Sequence, residues 1–250
     1  MKKKQSNQPI TRRKAIITGL TSISGLLLFG CSRKLPPTYG NILRMGDALT
    51  YIAHRTLLPG QSLVKEYGHS DISSFPAIGT TNPADPTKPN YSQAYGNLKS
   101  QAFSRWALKI EGRVAKPGSY SLADIKSFPS RTQITRHSCE EGWSAIAAWT
   151  GVPLNLVLNS AGILPSARFV NFYGYDGYME SIDMLDAFHP QTILAYSMNG
   201  SDLPVPHGAP LRLRVETQIG YKSVKFLERI VVTDEFVDTG DTGWAWYVGI

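Results

Sequence analysis

Apolar and polar positions fall into a regular order only from about Arg105 onward. There "RWALKIEGRV" alternates Trp106, Leu108 and Ile110 against Ala107, Lys109 and Glu111, the two-residue period of a strand with one buried face. "RTQITRHSC" predicts a second strand that runs into a loop at Cys139, and "ARFVNFYG" predicts a third. In "TILAYSMNGSDLPV" the pair Asn199-Gly200 sits between apolar runs, the signal of a tight hairpin. "APLRLRVET" alternates again, with Leu211, Leu213 and Val215 on the inner face and Arg212 and Arg214 sharing the other, and "VKFLERIVVTDEF" predicts the last strand. Three segments read as helices. "SLADIKSF" has Ser119 or Ser121 as its cap. "PLNLVLNSAG" places Leu154, Val157, Leu158 and Ala161 at helical spacing, with Pro153 at the start and Gly162 past the end. The short apolar run "WSAIAAW" is the third. Strands with a few interspersed helices and no regular βαβ alternation define an α+β class with mainly β, mixed sheets.

Residues 32–97 lack that order and are rich in Pro, Gly, Ser and Thr, with "FPAIGTTNPADPTKPNYS" as the clearest loop. Phe75 and Ile78 inside it favour an arm wrapped over a domain rather than a free linker. This divides the chain into a leader at 1–31, an extended arm or tether at 32–74 and a domain at 75–250.

The leader reads as an export signal: a basic start, a weakly apolar stretch from Ala15 to Phe29, and "LFGC" ending at Cys31 like a lipobox. Thr18, Gly19, Thr21, Ser22, Ser24 and Gly25 interrupt it too often for a membrane span of about 20 apolar residues. Adjacent Arg12 and Arg13 point to the twin-arginine route, and hence to a periplasmic or cell-envelope lipoprotein that meets the membrane only through its lipid. Residues 1–30 carry Lys2, Lys3, Lys4, Arg12, Arg13 and Lys14 and no acid. The formal charge of +7 therefore belongs largely to the leader and does not argue for a nucleic-acid partner.

With Cys31 taken up by the leader, Cys139 is the single free thiol of the mature chain. Nucleophile, metal ligand and inert core residue are all open to it. Arg136 and His137 precede it and would lower its pKa. A cysteine hydrolase would draw its base from His137, His189 or His207, but no nucleophile elbow surrounds the thiol. Zinc lacks any C-x-x-C or H-E-x-x-H pair. A second constellation, Arg212, Arg214, Lys222 and Lys225 with the donors of "GYKS", suits an anionic phosphate, although on charge alone a solvated strand face is the simpler reading.

Three blocks, "HSCEEGWSAIAAWTGVPL", "YMESIDMLDAFHPQTILAYSMNG" and "HGAPLRLRVETQIGYKSVKFLERI", resemble the molybdopterin-binding domain of sulfite-oxidase-type molybdoenzymes. The similarity is strongest to the bacterial branch that includes the periplasmic methionine-sulfoxide reductase catalytic subunit, and it runs from about Phe75 to Ile250. The resemblance implies a molybdenum held by a single molybdopterin and by the thiolate of Cys139, a soft donor suited to a redox metal. It assigns cofactor contacts to His137, Gly174, His207, Arg212, Ser223, Val224 and Lys225. Gly174 stands where relatives have a Thr, and His207 where the reductases have an Asn. Glu140 and Glu141 replace the Arg-rich run of true sulfite oxidases.

The expected activity is two-electron oxidoreduction of a small molecule, by oxygen-atom transfer. The alternatives are a sulfite dehydrogenase and, in another class, a metal-free surface lipoprotein used as a binding module. No C-x-x-C-H, no iron–sulfur cysteine set and no strand-linked G-x-G-x-x-G occurs, so electrons would come from a membrane cytochrome or quinone-linked redox subunit.

Overall fold

The computed structural model describes residues 62–237, together with a few helical positions between 45 and 57. The leader, the twin-arginine pair and the lipobox cysteine lie outside the described residues.

Two five-stranded sheets, four α-helices and three short 3-10 turns make up residues 62–237. The first sheet has the order β2-β1-β10-β5-β6, with β1 Ala107–Gly112, β2 Gly118–Ser121, β5 Phe169–Gly174, β6 Met179–Asp183 and β10 Leu227–Thr233. β1 and β10 run parallel, and every other pair is antiparallel, so the sheet is mixed. The second sheet contains β3 Arg131–Ser138, β4 Ser144–Pro153, β7 Ile193–Met198 and β8 Ser201–Asp202, with β9 Arg212–Arg214 also paired to β7. The α+β class with mainly β, mixed sheets is the observed one.

The helices follow their local signals. Helix α1, Gln93–Ser100, starts at Ser92, whose hydroxyl accepts the Tyr95 amide. Helix α2, Leu122–Ser127, is capped by Ser121 in a reciprocal arrangement with Asp124. Helix α3, Leu154–Ala161, buries Leu154, Val157, Leu158 and Ala161, and it ends at Gly162 with φ of 74°, a left-handed cap that costs glycine little. Helix α4, Met184–Ala187, is a single turn capped by Asp183.

One expectation fails. "WSAIAAW" is not helical: Trp143 lies in the loop and the rest belongs to β4, which lies between β3 and β7 and pairs with both. A short apolar run has no period of its own, and two flanking partners supply the ladder that decides its state.

The principal core gathers Trp106, Leu108, Ile110, Leu158, Phe172, Leu213, Ile230 and their neighbours between the sheets. A smaller cluster of Ala147, Trp149, Ile193, Ala195, Met198 and Leu203 lies on the second sheet, with Phe75 of the arm packed on it. The arm is anchored further back as well: Tyr67 donates its amide to Ile134, and Ser73 donates to Ile146.

Candidate active site

β3 and β4 form a hairpin in register from Arg131 opposite Gly151 to Ser138 opposite Ser144, and Cys139 opens its loop. Its amide donates to Trp143 O at 2.9 Å, and its carbonyl accepts Gly142 N–H at 3.1 Å. This turn fixes the thiol at one end of a cavity of about 630 Å³. The arm from Phe75 to Thr80 forms another wall, and the turn at Asp176–Tyr178, His207, Arg212 and the segment from Gly220 to Lys225 complete it.

Strand alternation separates the two basic residues before the thiol. His137 points inward, 8% exposed and lining the cavity, while Arg136 is exposed and lies over the ring of Tyr67. The His137 ring is pushed down to about 2 by burial and by the charges of Arg214 and Arg212, so it is neutral. Neither residue supplies the cationic neighbourhood expected for the thiol. Burial instead pushes Cys139 up to about 11, Glu140 adding to the effect, with the sulfur 3.5 Å from the Glu140 carboxylate.

Arg212, Arg214 and Lys222 of the basic constellation are buried and Lys225 is half-buried, so it is not a solvated face, and it divides in two. Arg214 is 1% exposed and held by both oxygens of Glu216 at 3.0 and 2.8 Å. Lys222 pairs with buried Glu180 at 2.9 Å. Arg212, in contrast, donates to the carbonyls of His207 and Ser223, each at 3.0 Å, and lies over Trp149. Lys225 donates to the carbonyls of Ile78, Thr80 and Pro206. Neither meets a carboxylate in an ion pair among the described residues. Burial and neighbouring positive charge lower both, Lys225 to about 8. Arg212 is thus a buried cation without an ion-pair partner, which is costly, while half-buried Lys225 has the Asp176 carboxylate in its field; an anion in the cavity would relieve the cost at Arg212.

Cys139, His137, His207, Arg212, Ser223, Val224 and Lys225 thus line one cavity. Gly174 does not line it. A Cβ there would come within 2.6 Å of both Asp176 Oδ1 and Lys225 O, so the residue backs the Asp176 turn from behind. His189 is also elsewhere, bonded to Ser62 O. Among the described residues no group of three His, Cys, Asp or Glu is placed to hold a metal ion, so a metal at Cys139 would need donors from a bound cofactor.

Trp143, Asp176 and Tyr178 are cavity residues that motif reading missed, and Glu140, singled out in place of the Arg-rich run, lines the cavity as well. Tyr178 and Asp176 had a faint signal in "YGYDGY", a turn between two strands. Trp143 and Phe75 stack in a cluster with His137 and His207, with ring centroids 5.1 to 6.0 Å from Phe75.

Residues 95–239 match the family model described as the oxidoreductase molybdopterin binding domain. The chain belongs to this family. Its sulfite-oxidase-type fold and its molybdenum–molybdopterin cofactor follow from that membership. A protein of Azospira oryzae, provisionally named protein-methionine-sulfoxide reductase subunit YedZ1, is 39% identical over 64% of this chain and 62% of its own. The protein-methionine-sulfoxide reductase catalytic subunit MsrP of Xanthomonas axonopodis pv. citri is 33% identical over 91% of this chain and 71% of its own. The MsrP of Xanthomonas campestris pv. campestris is 34% identical, but the chain spans only 55% of its length. Among solved structures, the sulfane dehydrogenase SoxCD from Paracoccus pantotrophus superposes with a TM-score of 0.51 at 26% identity, covering 53% of this chain and 39% of that one.

The cavity fits the family's cofactor. Its phosphate requires positive charge, which Arg212 and Lys225 supply without an ion pair to a carboxylate, and its metal requires a soft donor, which Cys139 offers inside the same space.

Proposed function

We propose that the chain is an exported oxidoreductase that reduces sulfoxides, methionine sulfoxide among them, at a molybdenum ligated by Cys139. One observation carries the reading: the free thiol shares its cavity with two cations, Arg212 buried and Lys225 half-buried, that form no ion pair with a carboxylate among the described residues. The names of the Azospira and Xanthomonas relatives support the substrate class.

In this reading Arg212, Lys225 and the hydroxyl of Ser223 hold the phosphate end, and the Cys139 thiolate holds the metal. When bound, the cofactor supplies two electrons at a centre able to accept an oxygen atom. The overall change takes up two protons and two electrons, breaks the S–O bond of the sulfoxide and yields a thioether and water. The chain shapes the space for it: Phe75 and Trp143 give an apolar rim for a thioether side chain, and the arm limits access of water.

Electrons would come from a separate redox protein, a membrane cytochrome or quinone-linked subunit, in keeping with the word "subunit" in the relatives' names. Twin-arginine export and a lipid on Cys31 would place the site in the cell envelope. Sulfite oxidation is the rival within enzymes.

Full-length protein matured in a molybdopterin-competent host tests the reading by metal analysis and by viologen-linked reduction of methionine sulfoxide, with sulfite as control. Wild type should contain molybdenum and reduce the sulfoxide. Cys139→Ser should fold, lose activity and lose the thiolate-to-metal absorption. Full activity in Cys139→Ser, or a metal-free wild type, would overturn the proposal.

A further inference from the structure

The two nitrogens of the His137 ring have opposite surroundings. Nδ1 lies 2.6 Å from Arg214 Nη1. A guanidinium is a donor only, so Nδ1 must accept, and a neutral ring then carries its proton on Nε2. Arg214 has little freedom to do otherwise. Glu216 grips it through both oxygens, Trp149 lies under it at 4.6 Å, and Gln133 donates to Glu216 from behind at 3.1 Å.

The Nε2 edge is left open. It lies against Gly220, where a Cβ would come within 2.4 Å of that nitrogen, so any other residue would displace the ring. His137 and Gly220 both line the cavity, and no hydrogen bond to Nε2 is found among the described residues.

We infer that Arg214 and Glu216 form a positioning pair that locks His137 in its Nε2–H tautomer, presenting one neutral hydrogen-bond donor to an oxygen acceptor bound in the cavity. The inference rests on the cavity being the cofactor and substrate site, but not on the identity of the substrate. The neutral donor is the useful form here: it recognises an oxygen without adding a charge that would draw in anions. The acceptor oxygen belongs either to the cofactor or to the substrate, and the two sources separate by experiment.

Long-range proton–nitrogen spectra of the full-length protein, labelled on histidine with nitrogen-15 and assigned with His137→Gln, read the tautomer directly. Wild type should show His137 protonated at Nε2 with Nδ1 as a hydrogen-bonded acceptor. In Arg214→Met the ring should sample both tautomers and Nδ1 should move to the value of a free acceptor. A wild-type ring protonated at Nδ1 overturns the inference whether or not the variant folds, and so does an unchanged ring in a folded Arg214→Met.

The second arm measures molybdenum content and sulfoxide kinetics in His137→Phe and His137→Gln. Loss of a single donor bond predicts a decrease of up to about tenfold in the Phe variant, with recovery by the Gln amide. Lower metal content assigns the acceptor oxygen to the cofactor, and higher KM at full metal content assigns it to the substrate. Wild-type values of both in His137→Phe would overturn the inference. The spectra stand even if methionine sulfoxide proves not to be a substrate.

Discussion

Lys222 and Glu180 form an ion pair at 2.9 Å with side chains 2% and 1% exposed, whereas Arg212, on β9, meets backbone carbonyls in place of a carboxylate. The four cations that look alike in "LRLRVETQIGYKSVK" therefore have different tasks. Removing Lys222 leaves Glu180 buried and unpaired, which costs on the order of 3 to 5 kcal/mol. Lys222→Met should lower the apoprotein's stability by that amount in urea titrations. Arg212→Ala should instead lower molybdenum content more than it lowers apoprotein stability. Equal losses of stability with unchanged metal content would return Arg212 to a purely structural role.

Lys225 joins the cavity to its roof. Its ammonium collects the carbonyls of Ile78, Thr80 and Pro206, two of them from the arm, and a Cβ on Gly208 would approach its side chain to 2.9 Å. Lys225→Met keeps the length of the chain but removes three charge-assisted bonds. Limited proteolysis should then cut the arm between residues 76 and 90 several-fold faster than in wild type, with the two sheets left intact. If the arm is cut at the wild-type rate, packing of Phe75 alone holds it.

The fold was readable wherever a local signal agreed with its tertiary partners. Ser121 and Asp124 cap α2 as the spacing requires, and Asn199-Gly200 turns β7 into β8. β4 misled because Ala145, Ala147 and Ala148 carry no strand preference; only their ladders to β3 and β7 make them a strand. Helix α1 lies in a polar stretch and buries Tyr95 alone, too little for a periodic signal. At the site, the thiol and the basic residues could be named from motif, but not their partners. Glu180 reaches Lys222 across 42 positions, and nothing local announces it. Glu216 was within reach of inspection, since it lies only two residues beyond Arg214, in the turn after β9. Nor does alternation tell a solvated face from one covered by another layer, which is why Arg212 and Arg214 read as exposed.

The pH dependence of stability should carry the signature of His207. Burial, together with the charges of Arg212 and Lys225, lowers it to about 4, below its ordinary value of about 6.5. Between those values the unfolded chain takes up a proton that the folded chain refuses. Stability from this group is therefore complete above about 6.5 and is lost as pH falls toward 4. Glu180 and Asp176, raised by burial, act in the opposite sense, so the comparison must be with a variant. Urea midpoints measured from pH 7.5 to 4.5 should fall more steeply for wild type than for His207→Gln. Parallel curves would show that the ring titrates alike in both states.

Substrate charge is the property that Glu140 should control. Its carboxylate lines the cavity 3.5 Å from the Cys139 sulfur, and in the proposed loaded site the cations that would offset it are committed elsewhere, Arg212 and Lys225 to the cofactor's phosphate. Arg136 points away over Tyr67, Arg214 is neutralised by Glu216 and Lys222 by Glu180. An anion such as sulfite approaching the thiol meets that carboxylate a few ångströms away, a repulsion of about 1 to 2 kcal/mol for a partly solvated pair. A neutral sulfoxide does not. Wild type should therefore turn over sulfite poorly, and Glu140→Gln should raise kcat/KM for sulfite by on the order of tenfold while leaving that for methionine sulfoxide nearly unchanged. The gap between the two substrates should also narrow with added salt in wild type, because screening weakens the repulsion, and stay flat in Glu140→Gln. An equal change for both substrates would mean that Glu140 acts on the metal site itself and not on the charge of what enters it.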